Sequence, residues 1–411
     1  MLKKRILSIS AQKPNSTGSG VYLTELVNVW DKMSYEQAVV AGIEENEIVT
    51  LPERVQFYPV HFKSEKLPFP VVGMSDVMPY DNTRYCDMTK DMEERFCNAF
   101  RDTISKALEE FQPDLVLCHH LYLTTAIALS CVEEYRKVSF KPIKIMGLCH
   151  STCLRQFQKN ELCKEFIKEK IQHLDKILAL HSGQKHEIVD IFAVSENKVK
   201  IIGAGYNEEI FPRKDYRPTD KITLCFAGKI SQAKGVKSLL RAMKEVTSPL
   251  PLELSLAGGT GDEKEYREIV KLGGEVEEKG NRKISFVGKL SQDKLSQLYI
   301  SSHIFVLPSF YEGLPLTMLE ALGSGCLVIG ATWNGVEEWV KGKVPKARIE
   351  FVELPAMISP GVPVEEGLPV YEKNLQKAIE EMIQQVVNGE KQCDGTELTW
   401  GCVAKNILEI S

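Results

Sequence analysis

The chain has 411 residues, a formal charge of −5, 43% hydrophobic and 26% charged residues, the composition of a folded protein with two or three domains. The acidic balance argues against nucleic acid as the main partner, since that binding draws on Lys and Arg contacts to phosphates. No apolar run approaches the roughly 20 residues that span a bilayer, and the 11 cysteines lack Cys-x-x-Cys pairs, so neither a zinc site nor a disulfide framework is expected.

The basic start leads into a strand rather than a signal-peptide core, and the expected location is cytoplasmic with reduced thiols. Residues 5–10 read as a first strand, 11–20 as a polar loop, and Val21, Leu23, Leu26, Val27 and Trp30 fall at helical spacing. Gly18 and Gly20 resemble part of a dinucleotide fingerprint, but Leu23 occupies the third glycine position. No acidic residue ends a clear second strand about 20 residues on, so an NAD site is not expected. Two readings remain for the glycines: small residues that let amides approach a phosphate or sugar, or a surface turn. Residues 51–90 carry Pro52, Pro59, Pro68, Pro70 and Pro79, too irregular for a βα repeat. Ser75, Asp76, Asn82, Thr83, Arg84 and Tyr85 there are candidates for acceptor contacts, the alternative being an excursion packed over the sheet.

Residues 113–120 form a strand ending in His119 and His120, and 143–149 another ending at His150. Parallel strands deliver ligand-binding residues at their carboxyl ends. His150 is the better candidate because Ser151, Thr152 and Arg155 follow it; a satisfied structural histidine is the other reading. Residues 160–175 read as a helix with a solvated Lys/Glu face, and a charged, proline-bearing linker falls at 211–221.

A second α/β domain starts with a strand at 223–227 and a basic glycine loop from Gly228 to Gly235. Lys229 and Lys234 there offer positive charge beside amides at a helix start, which suits a diphosphate; ordinary solvated lysines are the alternative. The Walker spacing is absent, so an ATPase loop is disfavoured. Strands at 252–256 and 284–287 close in small residues, which leaves room for a nucleotide base near Gly259 and Gly288. Strand 304–307 is followed by a turn at Gly313 and Pro315 and by a helix burying Leu316, Met318, Leu319 and Leu322. Its first amides and dipole attract anions. Glu312 and Glu320 can accept hydrogen bonds from sugar hydroxyls, or are a dipole-favoured Glu and a solvated helical one. Residues 341–369, with five prolines, are irregular, and helices at 371–388 and 400–409 close the chain.

Jointly these residues resemble the retaining GT-B glycosyltransferases of family 4, the glycosyl transferases group 1. Glu312 and Glu320 meet the family's Glu-x7-Glu signature. Gly228-Lys-Ile-Ser-Gln-Ala-Lys-Gly235 meets its Gly-Arg-x4-Lys-Gly loop, with Lys229 where arginine is commoner. Ala204-Gly-Tyr-Asn207 with Phe211 stands for its altered pre-linker motif, Gly18 to Gly20 for its N-domain glycine loop, and His150 for its N-domain histidine. The resemblance runs over nearly the whole chain and is strongest at 198–340. It implies an α/β fold of two Rossmann-like open-sheet domains facing each other across a cleft: an acceptor-side domain at 1–211, a nucleotide-sugar domain at 212–390, and a helix at 391–411 returning to the first.

The activity implied is a retaining, metal-independent transfer of a hexosyl unit from a nucleoside-diphosphate sugar, UDP favoured over GDP, to a hydroxyl of a sugar, lipid or small molecule, with no other cofactor. Glu320 would hold the ribose, Glu312 a sugar hydroxyl, and Lys229 and Lys234 the diphosphate, helped by the amides of Leu316 and Thr317. Gly259, Gly288 and Leu290 would lie near the base, and His150 would contact the sugar. With no obvious enzymic nucleophile, same-face attack assisted by the leaving phosphate is the preferred route. The rivals are a GT-B epimerase or hydrolase and a catalytically silent sugar-nucleotide binding module. A place peripheral to a membrane is compatible with the resemblance, and no oligomeric state follows from it.

Overall fold

Alternating apolar strands and amphipathic helices build two parallel sheets in the computed structural model, which describes residues 3–75, 78–139, 141–214 and 220–411. Candidate Asp76 and linker residues 215–219 lie outside the described residues. The chain divides into two units, Met1–Ala204 with Trp400–Ser411, and Gly205–Thr399.

In the first unit, β1 (Arg5–Ser10), α1 (Gly18–Lys32), β2 (Glu36–Glu44) and β3 (Gln56–Phe62) are followed by a short parallel pair, β4 (Val72–Gly73) and β5 (Thr83–Arg84). Next come α2 (Lys90–Phe111), β6 (Leu115–His119), α3 (Leu123–Val138), β7 (Lys144–Leu148), α4 (Thr152–Lys159), α5 (Lys164–His173), β8 (Lys176–Ala179), α6 (Ser182–Phe192) and β9 (Val199–Ile201). The sheet runs β3-β2-β1-β6-β7-β8-β9. Its central strands are buried on both faces and are therefore continuous apolar runs. Helix α2 shows how locally consistent the sequence is: Thr89 caps its N-terminus by accepting from the Met92 amide, and Asp91 and Glu93 sit in the first turn. Phe96, Phe100, Ile104, Leu108 and Phe111 face the core. The terminal helix Trp400–Ile410 belongs to this unit. Its Trp400 ring meets Tyr22 edge-on at 4.6 Å, and its Ala404 carbonyl accepts from the Trp30 indole.

Two features of the first unit differ from expectation. Strand β2 exists and ends in an acidic residue, Glu44. That carboxylate is already paired with Lys13 at 3.2 Å and Lys63 at 3.4 Å, which together with the Leu23 mismatch argues against a dinucleotide fingerprint. Residues 18–20 form the first turn of α1, not a loop, because Thr17 caps the helix there.

In the second unit, β10 (Ile222–Ala227), α7 (Val236–Glu245), β11 (Leu252–Ala257), α8 (Glu263–Glu277), β12 (Arg282–Gly288), α9 (Gln292–Ser301), β13 (Ile304–Val306), α10 (Leu316–Gly323), β14 (Leu327–Ala331), α11 (Val336–Lys343) and β15 (Ile349–Val352) alternate. The sheet order is β12-β11-β10-β13-β14-β15. The order reverses between β10 and β13, and ligands of open α/β sheets bind beyond the strand ends at such a switch point. The stretch 341–369, expected to be irregular, supplies the edge strand β15 and a small hairpin, β16 (Met357–Ser359) with β17 (Val362–Pro363). Helix α12 (Leu368–Val387) then buries Leu375, Ile379, Met382 and Ile383.

Candidate functional site

Two loops leave the second sheet at its switch point. After β10 the chain passes through Gly228, Lys229 and a single 3-10 turn, Gln232–Lys234, into α7. Gly235 makes this sharp entry with φ +70°, and a Cβ there would run into the Pro308 carbonyl oxygen. Glycine is therefore required for conformation and for close approach. The Phe310 amide donates to the Ala233 carbonyl at 3.1 Å, which ties the loop after β13 to the loop after β10. The Tyr371 hydroxyl and Trp333 indole donate to the carbonyls of Pro308 at 3.0 Å and Ser309 at 2.8 Å, so the second loop is held from below.

This joinery brings Lys234 Nζ to 2.6 Å from Glu312 Oε1, with the carboxylate side chain 13% exposed and the ammonium side chain 31%. A partly buried pair is less screened than a surface one, and the three ammonium protons leave capacity for a second anion. Eight residues on, Glu320 accepts a 3.4 Å hydrogen bond from the Tyr299 hydroxyl. Tyr299 is fully buried on α9, and burial first, then the Glu320 charge, raises its phenol pKa well above the usual value. Helix α10 begins at Leu316 behind Pro315, so the amides of Leu316 and Thr317 precede the first intrahelical bonds.

Lys229 is exposed and its ammonium lies against Gly261, where a Cβ would sit 2.6 Å from Nζ. The Gly228, Gly258 and Ile230 amides donate to Ala257, Gly288 and Gly259 carbonyls at 2.8–3.0 Å, which aligns the ends of β10, β11 and β12. No heavy atom comes within 4 Å of a Cβ built on Gly259 or Gly288, and Leu290 is half-buried just beyond. Space is therefore open above both glycines.

In the first unit the carboxyl ends of β6 and β7 carry a histidine cluster. His119 Nδ1 and His150 Nε2 are 3.1 Å apart, with the ring centroids 5.3 Å apart and the planes at 11°, so the rings meet edge to edge. His120, with φ +72°, places its ring 4.7 Å from that of His150 and its Nε2 3.2 Å from Gln12 Oε1. That same oxygen accepts from Ser19 on α1 at 3.0 Å, linking the cluster to the glycine turn. Loss of hydration on burial, then repulsion from His120, depresses the His119 pKa from 6.5 to about 3 and moves that of His150 well below its usual value in the same way. Both imidazoles are neutral at pH 7.

Of the two N-terminal glycines, Gly20 is needed for packing, since a Cβ would lie 2.6 Å from the Lys13 carbonyl oxygen, whereas Gly18 has open space around it. Among the acceptor candidates of 75–85, Tyr85 is buried, Thr83 donates to the Pro70 carbonyl, and Arg84 is paired with Asp87. Tyr85 and Thr83 are thus engaged in packing, as in the excursion alternative, whereas Arg84 and its pair are exposed. Sequence reasoning had no signal for Tyr299 or Gln12, and set His119 behind His150: on a helix face or strand end a buried polar side chain reads as core.

Among the described residues no group of three or more His, Cys, Asp or Glu is arranged to hold a metal ion, and no helix is long and apolar enough to cross a membrane.

The fold is GT-B. Sucrose-phosphate synthase from Thermosynechococcus elongatus superposes with a TM-score of 0.61 at 16% identity, over 99% of this chain and 98% of that one. An Anabaena protein solved in complex with UDP and glucose gives 0.59 at 12% identity, over 99% of each chain. Residues 221–357, which include Lys234 and Glu312, match the model of the family described as Glycosyl transferases group 1. An uncharacterized glycosyltransferase of Methanocaldococcus jannaschii is 30% identical over 183 residues, 41% of this chain and 45% of that protein. The chain spans about half the length of the first curated relatives it matches.

Proposed function

We propose that the protein transfers a hexosyl unit from a nucleoside-diphosphate sugar to a hydroxyl acceptor, with retention of anomeric configuration, without a metal ion, and with UDP favoured over GDP. The observation that carries this reading is the Lys234–Glu312 pair at 2.6 Å, which sets a cation and a carboxylate side by side at the switch point, next to the start of α10. The Anabaena neighbour described with UDP and glucose supports the base preference.

In this reading Lys234 and Lys229 bind the diphosphate, together with the first amides of α10 at Leu316 and Thr317. These groups are already oriented when charge develops on the leaving phosphate, which is where preorganised donors act most strongly. Glu312 accepts from a hydroxyl of the sugar, and its pairing with Lys234 keeps the carboxylate aimed. Glu320, steadied by Tyr299, accepts from the ribose. The open strand ends at Gly259 and Gly288, with Leu290 beside them, receive the base, Gly228 opens the phosphate loop, and Gly18 and Gly20 let the first-unit backbone approach the donor. His150 contacts the transferred sugar. The acceptor hydroxyl attacks on the face the diphosphate leaves, its proton passing to a departing phosphate oxygen. The O–C bond forms as the C–O bond to phosphate breaks, and a nucleoside diphosphate is released. The protein acts in the cytoplasm or at a membrane surface.

A thermal-shift screen with UDP-, GDP- and ADP-sugars tests the reading. Ligand at 100 times Kd adds about 2.7 kcal/mol of stability, and a UDP-sugar is expected to give the largest upward shift in Tm. No shift with any of the three would count against the whole assignment. Turnover of donor with no acceptor present would favour an epimerase or hydrolase, and binding without turnover a silent module.

A further inference from the structure

We propose that His119 is a positioning residue that holds His150 in the tautomer carrying its proton on Nδ1, so that His150 meets substrate as a hydrogen-bond donor. The inference rests on the reading of His150 as a sugar contact.

His119 Nδ1 faces His150 Nε2 at 3.1 Å. Both rings are neutral, so one proton lies between these two nitrogens and two arrangements are open. If His150 donated from Nε2, His119 would carry its own proton on Nε2. That nitrogen is buried, in a side chain 2% exposed, and has no hydrogen-bond partner. A buried N–H without an acceptor is the costlier orphan. The other arrangement puts the proton on His119 Nδ1 and leaves only a bare nitrogen unpaired. His150 Nε2 then accepts, and its proton resides on Nδ1.

The ring is fixed as well as the tautomer. His119 lies edge to edge with His150 at an interplanar angle of 11°, and Tyr22 meets it edge-on at 5.2 Å with 80° between planes. Tyr22 is anchored by its own hydroxyl, which donates to the Gly203 carbonyl at 2.8 Å. The backbone just beyond is pinned too. Ser151 adopts φ 64° and ψ −47°, and the Thr152 amide donates to the His150 carbonyl at 2.7 Å, which closes a three-residue turn of the strained kind. Gln184 Nε2 donates to Ser151 Oγ at 2.7 Å and holds that turn. Strain retained beside a buried imidazole pair fits a side chain whose orientation is used.

Long-range 1H–15N correlation spectra of the labelled full chain, with His150 identified by loss of its signals in His150→Gln, read the tautomer without any ligand. Expected is a protonated Nδ1 and a bare Nε2 in the wild type; a protonated Nε2 would overturn the proposal. His119→Asn keeps a donor N–H near the Nδ1 position and is expected to preserve the Nδ1–H form. His119→Phe keeps a flat ring beside His150 and removes the donor, and is expected to release His150 into a tautomer mixture; an unchanged spectrum would overturn the positioning role. Thermal melts show whether the variants fold, and if His119→Phe does not, the wild-type and His119→Asn spectra still decide. UDP release from UDP-glucose should fall in kcat by about 10- to 100-fold in His119→Phe, the scale on which outer partners of functional imidazoles act, with KM little changed and His119→Asn recovering part of the rate. A wild-type Nδ1–H form with no sugar-nucleotide turnover would leave the tautomer standing and remove the proposed function.

Discussion

The two sheets end in polar clusters built on opposite principles. The second unit sets full charges together, Lys234 beside Glu312 at 2.6 Å and still partly exposed. The first unit packs the neutral rings of His119 and His150 against His120 and Gln12, with His119, His120 and Gln12 each 2% exposed. Charge survives in one cluster because an opposite charge and some water stabilise it. It is expelled from the other because burial without a counter-ion penalises the protonated ring. The same strand-end geometry thus yields an ion pair in one unit and a set of directional hydrogen-bonding groups in the other.

The largest expected effect breaks the charged cluster. Lys234→Ala should lower kcat/KM for the sugar nucleotide by about 10²- to 10³-fold, as loss of one preorganised donor does, while Tm changes little because a partly exposed pair contributes about 1 kcal/mol or less. A large fall in Tm with turnover intact would make the pair structural. Gly235→Ala comes next: a Cβ facing the Pro308 carbonyl at φ +70° should cost about 1–3 kcal/mol, read as a lower urea midpoint at unchanged m-value.

Acidification sharpens the contrast from the other side. The folded His119 pKa is depressed to about 3, so below 6.5 the unfolded chain binds a proton that the folded chain does not. Stability is then lost as pH falls from 6.5 towards 3, by up to about 1.4 kcal/mol per pH unit for this residue, with His150 adding in the same direction. Urea melts from pH 7 to 5 should show this slope, and His119→Asn should reduce it; equal slopes would remove the neutral-imidazole account. The smallest effect is expected for Lys229→Arg. The exposed position gains a bidentate fork, and donor Kd should tighten within about threefold, measured by titration with UDP.

Much of the second unit was legible before the structure because its signals are local. The basic glycine loop, the glutamates eight residues apart and the small residues at strand ends each follow directly on an apolar strand. Strand β2 was less legible: it is nine residues long and has no glycine or proline at its boundaries. Strand β15 was hidden among prolines. Tyr299 and His119 were illegible as partners, since a buried polar residue looks like core until the neighbouring element is placed beside it.

The sequence by itself determined the alternation of strands and helices, the turn glycines, and which side chains could bind anions or sugars, because periodicity and backbone freedom are properties of neighbouring residues. Only the tertiary structure decided that Lys234 and Glu312, 78 residues apart, share a proton-bridged contact, and that His119 and His150 do so 31 residues apart. Those pairings depend on strand order and on desolvation. Both arise from packing across the sheet, and no local stretch of chain encodes them.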